Sequence, residues 1–163
     1  MIAMAKPNHK FFERYLSLDL PKFETSLLGL KERLSSENVP GVKNNDYESV
    51  DKASFTTQLG EKYNIFQFHD ENIRALYSSI SDMVLEACEY YGFSFDEQKY
   101  MIQGWFNVNY RDKGKLGWHK HNDYFAPVFH GYYSVNAEPP ITNYKIMPDS
   151  REVDVINKNN KAI

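Results

Sequence analysis

The chain has 163 residues, 42% of them hydrophobic and 15% aromatic, enough for one domain with a real core and too apolar for disorder. A formal net charge of -3 excludes the broad basic field that nucleic acid calls for, and no apolar run reaches the length of a membrane span. The single cysteine, Cys88, excludes an intramolecular disulfide framework, and residues 1–7 carry no signal-peptide pattern, so the expectation is a soluble protein of a reducing, cytoplasmic compartment.

Residues 1–20 are mixed; Phe11, Phe12, Tyr15 and Leu16 suit a short strand or a helical turn. A helix is predicted from Pro21, because proline is favoured at a first helical position and Phe23, Leu27, Leu28, Leu30 and Leu34 recur at near-helical spacing. The polar run from Ser35 to Gly41 ends it. Residues 40–62 read as a long connection with a short strand near Phe55-Thr56-Thr57. The strongest helix runs from Asp70 to Tyr91. Asp70 is a good N-cap, Gly92 a C-terminal stop, and Ile73, Leu76, Tyr77, Ile80, Val84, Ala87 and Tyr91 form an apolar stripe. Cys88 lies beside that stripe and reads as a buried, inert thiol.

After Gly92 the period changes to two. Tyr100, Ile102, Phe106, Val108 and Tyr110 alternate with Met101, Gln103, Trp105, Asn107 and Asn109. Further strands are predicted at 129–135 and 141–147, with a short one near Val153, Val155 and Ile156. Helices followed by antiparallel strands give an α+β order in a single domain, with residues 1–95 as mainly helical support and 96–163 as a sheet core.

The chemistry gathers at Gly117-Trp118-His119-Lys120-His121-Asn122-Asp123-Tyr124-Phe125. Three of the five histidines fall between 119 and 130. His-x-Asp on an extended segment turns both side chains to one face, with Cα atoms about 6–7 Å apart. An imidazole and a carboxylate are two of the three ligands of a facial Fe(II) site, and equally two ligands of a zinc site. His119, four residues from Asp123, is about 13 Å away along a straight strand, so the metal pair is 119/121, as in cupin-like sites, or 121/123. His130 reaches the same place from a neighbouring strand, or is a core histidine bonded to backbone.

A wider window adds order to these residues. Tyr110 with Gly114 precedes His121-Asn122-Asp123-Tyr124-Phe125; Tyr133-Ser134-Val135-Asn136 follows, then Thr142-Asn143-Tyr144. This succession over about residues 100–147 resembles the 2-oxoglutarate/Fe(II)-dependent dioxygenases, most closely their prolyl 4-hydroxylase-like branch. The Asp at +2 and the Tyr-Phe after it match the family at His121. The resemblance implies a double-stranded β-helix, a jelly roll of two sheets with helices packed outside. It implies Fe(II) on His121 and Asp123, with 2-oxoglutarate as co-substrate and the Tyr110 hydroxyl on its distal carboxylate. The implied reaction couples decarboxylation of 2-oxoglutarate to hydroxylation of an unidentified small molecule or protein.

The family also has a distal His and a following Arg or Lys, and here no histidine follows His130. Asn157 to Ile163 resembles the lead into the strand before that His, so the expectation is a C-terminally truncated core whose exposed sheet edges pair with another copy. Two readings compete with an oxygenase: a jelly-roll binding or assembly module with a vestigial His cluster, and a cupin-like metal enzyme using His119 and His121.

Overall fold

The computed structural model describes residues 10–37, 55–57, 63–94, 101–108, 129–137, 141–146 and 150–163. The first strand, β1 (Arg14–Tyr15), leads into helix α1 (Leu20–Ser36). Asp19 caps α1 by accepting from the Lys22 amide at 3.2 Å, and Pro21 occupies the first turn, where its missing N–H costs nothing. Phe23, Leu27 and Leu34 are the residues α1 buries, whereas Leu28 stays 40% exposed.

Strand β2 (Phe55–Thr56) and a single 3-10 turn (Ile65–Gln67) precede helix α2 (Glu71–Tyr91). The Asp70 carboxylate accepts from the amides of Asn72 at 2.8 Å and Ile73 at 3.1 Å, satisfying two of the donors that a helix start leaves free. Gly92 ends the helix with φ of 75°, a left-handed conformation that glycine adopts without strain. The buried face runs through Asn72, Ile73, Leu76, Met83, Ala87 and Cys88. It is rotated slightly from the predicted stripe: Met83 takes the place of Val84, and Tyr77 lies outside as an edge-on partner of Phe66 at 5.2 Å. Lys22 pairs with Glu71 between the first turns of the two helices. Arg14 reaches Glu86 at 3.3 Å, tying β1 to α2.

The remaining strands are β3 (Asn107–Val108), β4 (Ile141–Ile146), β5 (Arg151–Ile156) and β6 (Lys161–Ala162). All described pairing is antiparallel: β1 with β6, β2 with β3, and β4 with β5 in the register Ile141↔Ile156 to Ile146↔Arg151. The β4–β5 ribbon alternates as period two requires. Thr142, Tyr144, Val153 and Val155 turn inward, while Asn143, Lys145, Glu152, Asp154 and the Ile141/Ile156 pair face out. On the outer face Asn143 donates to Asp154 at 2.6 Å. Strand β6 has a partner on each side: β1 on one, and on the other Tyr133, bridged to Ala162. Tyr132 and Ile163 exchange amide hydrogen bonds at 3.0 Å in each direction.

The molecule is α+β, as the order of patterns predicts, with two helices and small antiparallel sheets among the described residues. One buried cluster joins the elements: Phe23 and Leu27 of α1, Phe55 of β2, Ile65 of the 3-10 turn, Ile73 and Leu76 of α2, Phe106 before β3, and Ala162 of β6. Strand pairing therefore crosses residue 95, since β1 and β2 pair with strands from the second half of the chain. No described helix is long and apolar enough to cross a membrane.

Candidate functional site

The segment that runs toward Tyr110 is held by two side-chain clamps. The first is Asn64. Its Oδ1 accepts from the amides of Phe66 and Gly104, both at 3.1 Å, and its Nδ2 donates to the Ile102 carbonyl at 2.9 Å. The Ile65 amide adds a bond to the Gly104 carbonyl at 2.9 Å. The second is Thr57, 1% exposed, whose hydroxyl accepts from the Phe106 amide at 3.0 Å while its own amide donates to the Phe106 carbonyl at 3.2 Å. These bonds explain a departure from the sequence pattern. Alternation from Tyr100 predicts a strand, yet the ladder begins only at Asn107. Upstream, the Asn64 side chain takes the backbone groups that a neighbouring strand would take. Gly104 lies so close to the turn that a Cβ there would sit 2.6 Å from the Phe66 ring and 2.8 Å from the Ile65 side chain.

Of the predicted site residues, Tyr110, His119, His121 and Asp123 lie outside the described residues. His130 is described. It is exposed, which removes the reading of it as a core histidine, and its ring lies 6.4 Å from that of Trp105. Trp105 belongs to the segment fixed by Asn64 and Thr57, so His130 sits beside the stretch that continues toward Tyr110. Among the described residues, no three His, Cys, Asp or Glu side chains come together as a metal would require.

Tyr133, the start of the predicted Tyr-Ser-Val-Asn element, is anchored from both sides. Its hydroxyl donates to Asn160 Oδ1, and its ring lies 6.2 Å from Phe23. Burial pushes its hydroxyl up to about 12. Asn160 holds a left-handed φ of 61°, a conformation asparagine tolerates, and its amide donates to the Ser134 carbonyl at 3.0 Å. The neighbouring Tyr132 stacks on Tyr144 of β4 at 6.5 Å, which links this segment to the β4–β5 ribbon.

Sequence reading missed two polar features. Lys161, in the short strand β6, is 8% exposed at its side chain and pairs with Glu13 at 2.7 Å. A lysine two residues from the end of the sequence gives no sign that a carboxylate 148 positions away will bury it. The Asn64 clamp was equally silent, since a lone Asn between Tyr63 and Ile65 carries no pattern that names Gly104, 40 positions on, as its partner. Comparison of the chain with known protein families, with characterised proteins and with solved structures finds no match.

Proposed function

We propose that this chain carries the iron-binding part of a 2-oxoglutarate/Fe(II)-dependent oxygenase of the prolyl 4-hydroxylase-like kind, built on a double-stranded β-helix. The observation that carries the reading is the order of four elements in the sequence: Tyr110 with Gly114, His121 with Asp123-Tyr124-Phe125, Tyr133 to Asn136, and Thr142-Asn143-Tyr144. Antiparallel pairing throughout the described strands is the pairing such a core uses, and helices α1 and α2 match the outer support expected of it.

The donor set suits the metal. His121 and Asp123 supply one imidazole and one carboxylate, two of the three protein ligands of a facial Fe(II) centre, and His119 and His130 are the nearest further imidazoles in the sequence. When bound, iron with 2-oxoglutarate and oxygen supplies oxidative chemistry that decarboxylates the keto acid and hydroxylates a C–H bond. The protein's own part is to hold and orient. Asp123 would offset the cation's charge, and the Tyr110 hydroxyl would donate to the distal carboxylate of 2-oxoglutarate. Asn64 and Thr57 set the path of the segment that leads to Tyr110.

The test is anaerobic calorimetric titration of the 163-residue chain with Fe(II), with and without 2-oxoglutarate. The expected result is binding that strengthens with 2-oxoglutarate and is abolished in Asp123→Ala. Iron affinity retained in Asp123→Ala would point to the His119/His121 cupin-like pair, and no binding at all would point to a jelly-roll module without metal; either outcome sinks this assignment.

A further inference from the structure

At the C-terminal end of α2, three aromatic rings stand steeply to one another. Phe12 meets Tyr90 at 5.7 Å between centroids with 80° between the planes, and Tyr91 at 6.5 Å with 62°. Tyr90 and Tyr91 are 5.0 Å apart at 88°. Rings set this way are the walls of a corner, and the corner holds a cation. The Lys10 ammonium lies 3.9 Å from the centre of the Tyr90 ring and 4.5 Å from that of Phe12. Elsewhere such contacts are longer: Lys31 lies 5.9 Å from Phe55, and Arg33 lies 5.5 Å from Phe68. The walls are braced. Phe12 packs against the buried cluster, while Tyr91 stacks on Phe93 at 6.0 Å and lies 6.4 Å from Phe129. The local field agrees with the rings. The last turn of α2 holds no basic residue, Glu89 is exposed there, and a helix C-terminus attracts positive charge.

We propose that this corner is a binding site for a small quaternary ammonium compound, and that the Lys10 ammonium occupies the place of the ligand. The chemistry separates the two occupants. A primary ammonium is compact, strongly hydrated and carries three N–H donors, so seating it against rings strips water that the rings do not replace. A trimethylammonium group has no N–H to satisfy. Its charge is spread over methyl groups that pack on the ring faces, so it keeps the attraction to the rings at a smaller cost in lost hydration. Lys10 is exposed on a flexible four-carbon stem, which lets it turn out into water as such a ligand enters. The site uses none of Tyr110, His121 and Asp123 and does not rest on the oxygenase reading.

The test is a nuclear magnetic resonance titration of the full chain with choline, following the amide signals of Tyr90, Tyr91 and Phe93. The control ligand is the neutral isostere of choline, in which a tert-butyl group replaces the trimethylammonium. Circular dichroism checks that each variant is folded. Choline is expected to bind saturably, and the isostere at least about fivefold more weakly, because shape without charge forfeits the attraction to the rings. Lys10→Ala removes the internal competitor and should tighten choline binding about threefold or more. Tyr90→Leu keeps an apolar wall without a ring face and should weaken it about fivefold or more. Choline that fails to bind both wild type and Lys10→Ala would overturn the proposal. So would an isostere that binds as tightly as choline, or affinity for choline unchanged by Lys10→Ala or by Tyr90→Leu.

Discussion

Removing the Asn64 side chain measures how firmly the approach to the candidate site is held. Asn64→Ala deletes three hydrogen bonds at once, to Phe66, Gly104 and Ile102, and leaves two amide donors and one carbonyl to find other partners in a half-buried place. At about 1 kcal/mol net for each bond, the loss is about 3 kcal/mol. For a domain of this size that lowers the melting temperature by about 6–12 °C. Asn64→Asp separates the contributions. It keeps both acceptor bonds but sets a carboxylate oxygen against the Ile102 carbonyl, so its cost should fall between wild type and alanine. Urea unfolding followed by circular dichroism is the assay, with an unchanged slope showing that the midpoint shift is a stability change. A loss below about 0.5 kcal/mol for Asn64→Ala, or an aspartate variant as weak as alanine, would refute the claim that this side chain fixes the segment.

Three further outcomes are expected. Gly131→Ala places a Cβ 2.3 Å from the Ile163 carbonyl oxygen, so the 131–134 segment and the 160–163 segment must separate; a loss of about 2 kcal/mol or more in urea, with faster amide exchange at Tyr132 and Ile163, checks it. Asp70→Ala removes the cap of α2 and costs about 1 kcal/mol in the same assay, while Asp70→Asn or Asp70→Ser recovers most of it. Burial pushes the hydroxyls of Tyr63 and Tyr133 up to about 12, from an ordinary value of 10.0. The folded value lies above the unfolded one, so their stabilisation is complete below pH 10 and lost as pH rises through 12. Phenolate absorbance should therefore rise together with loss of circular dichroism in that interval; ionisation of these two side chains without unfolding would contradict it.

Both helices were readable because local rules and burial agree. Pro21 opens α1, Asp70 and Gly92 bracket α2, and the near-helical spacing picks out Phe23, Leu27 and Leu34 on the first and Ile73, Leu76 and Ala87 on the second. The strands at 141–147 and near Val153, Val155 and Ile156 were readable because one face is buried and the other wet, whereas of the strand expected at 129–135 only the bridge at Tyr133 is present. Strand β6 was not readable. Two residues, Lys161 and Ala162, carry no period, and they are strand only because β1 and Tyr133 flank them. The delayed start of β3 was hidden too, because the competitor for its backbone is one side chain 40 positions earlier. At the candidate site the His121/Asp123 pair is legible as a motif of residue types. The described part adds only the exposed His130 beside Trp105, a contact between segments that no local pattern encodes.

The central position of β6 bears on how the chain acquires its structure in time. During synthesis α1 and α2 can form from contacts within their own segments, but β1 must wait for β6, since Glu13 and Lys161 are 148 positions apart in the chain. Closing a loop of that length costs entropy before any long-range contact repays it. The sheet that joins the two ends is therefore a late event, and until it forms Leu16 and Tyr133 lack their final cover. A ribosome-bound intermediate of this protein would carry two finished helices and an open apolar seam, the kind of surface that chaperones shield.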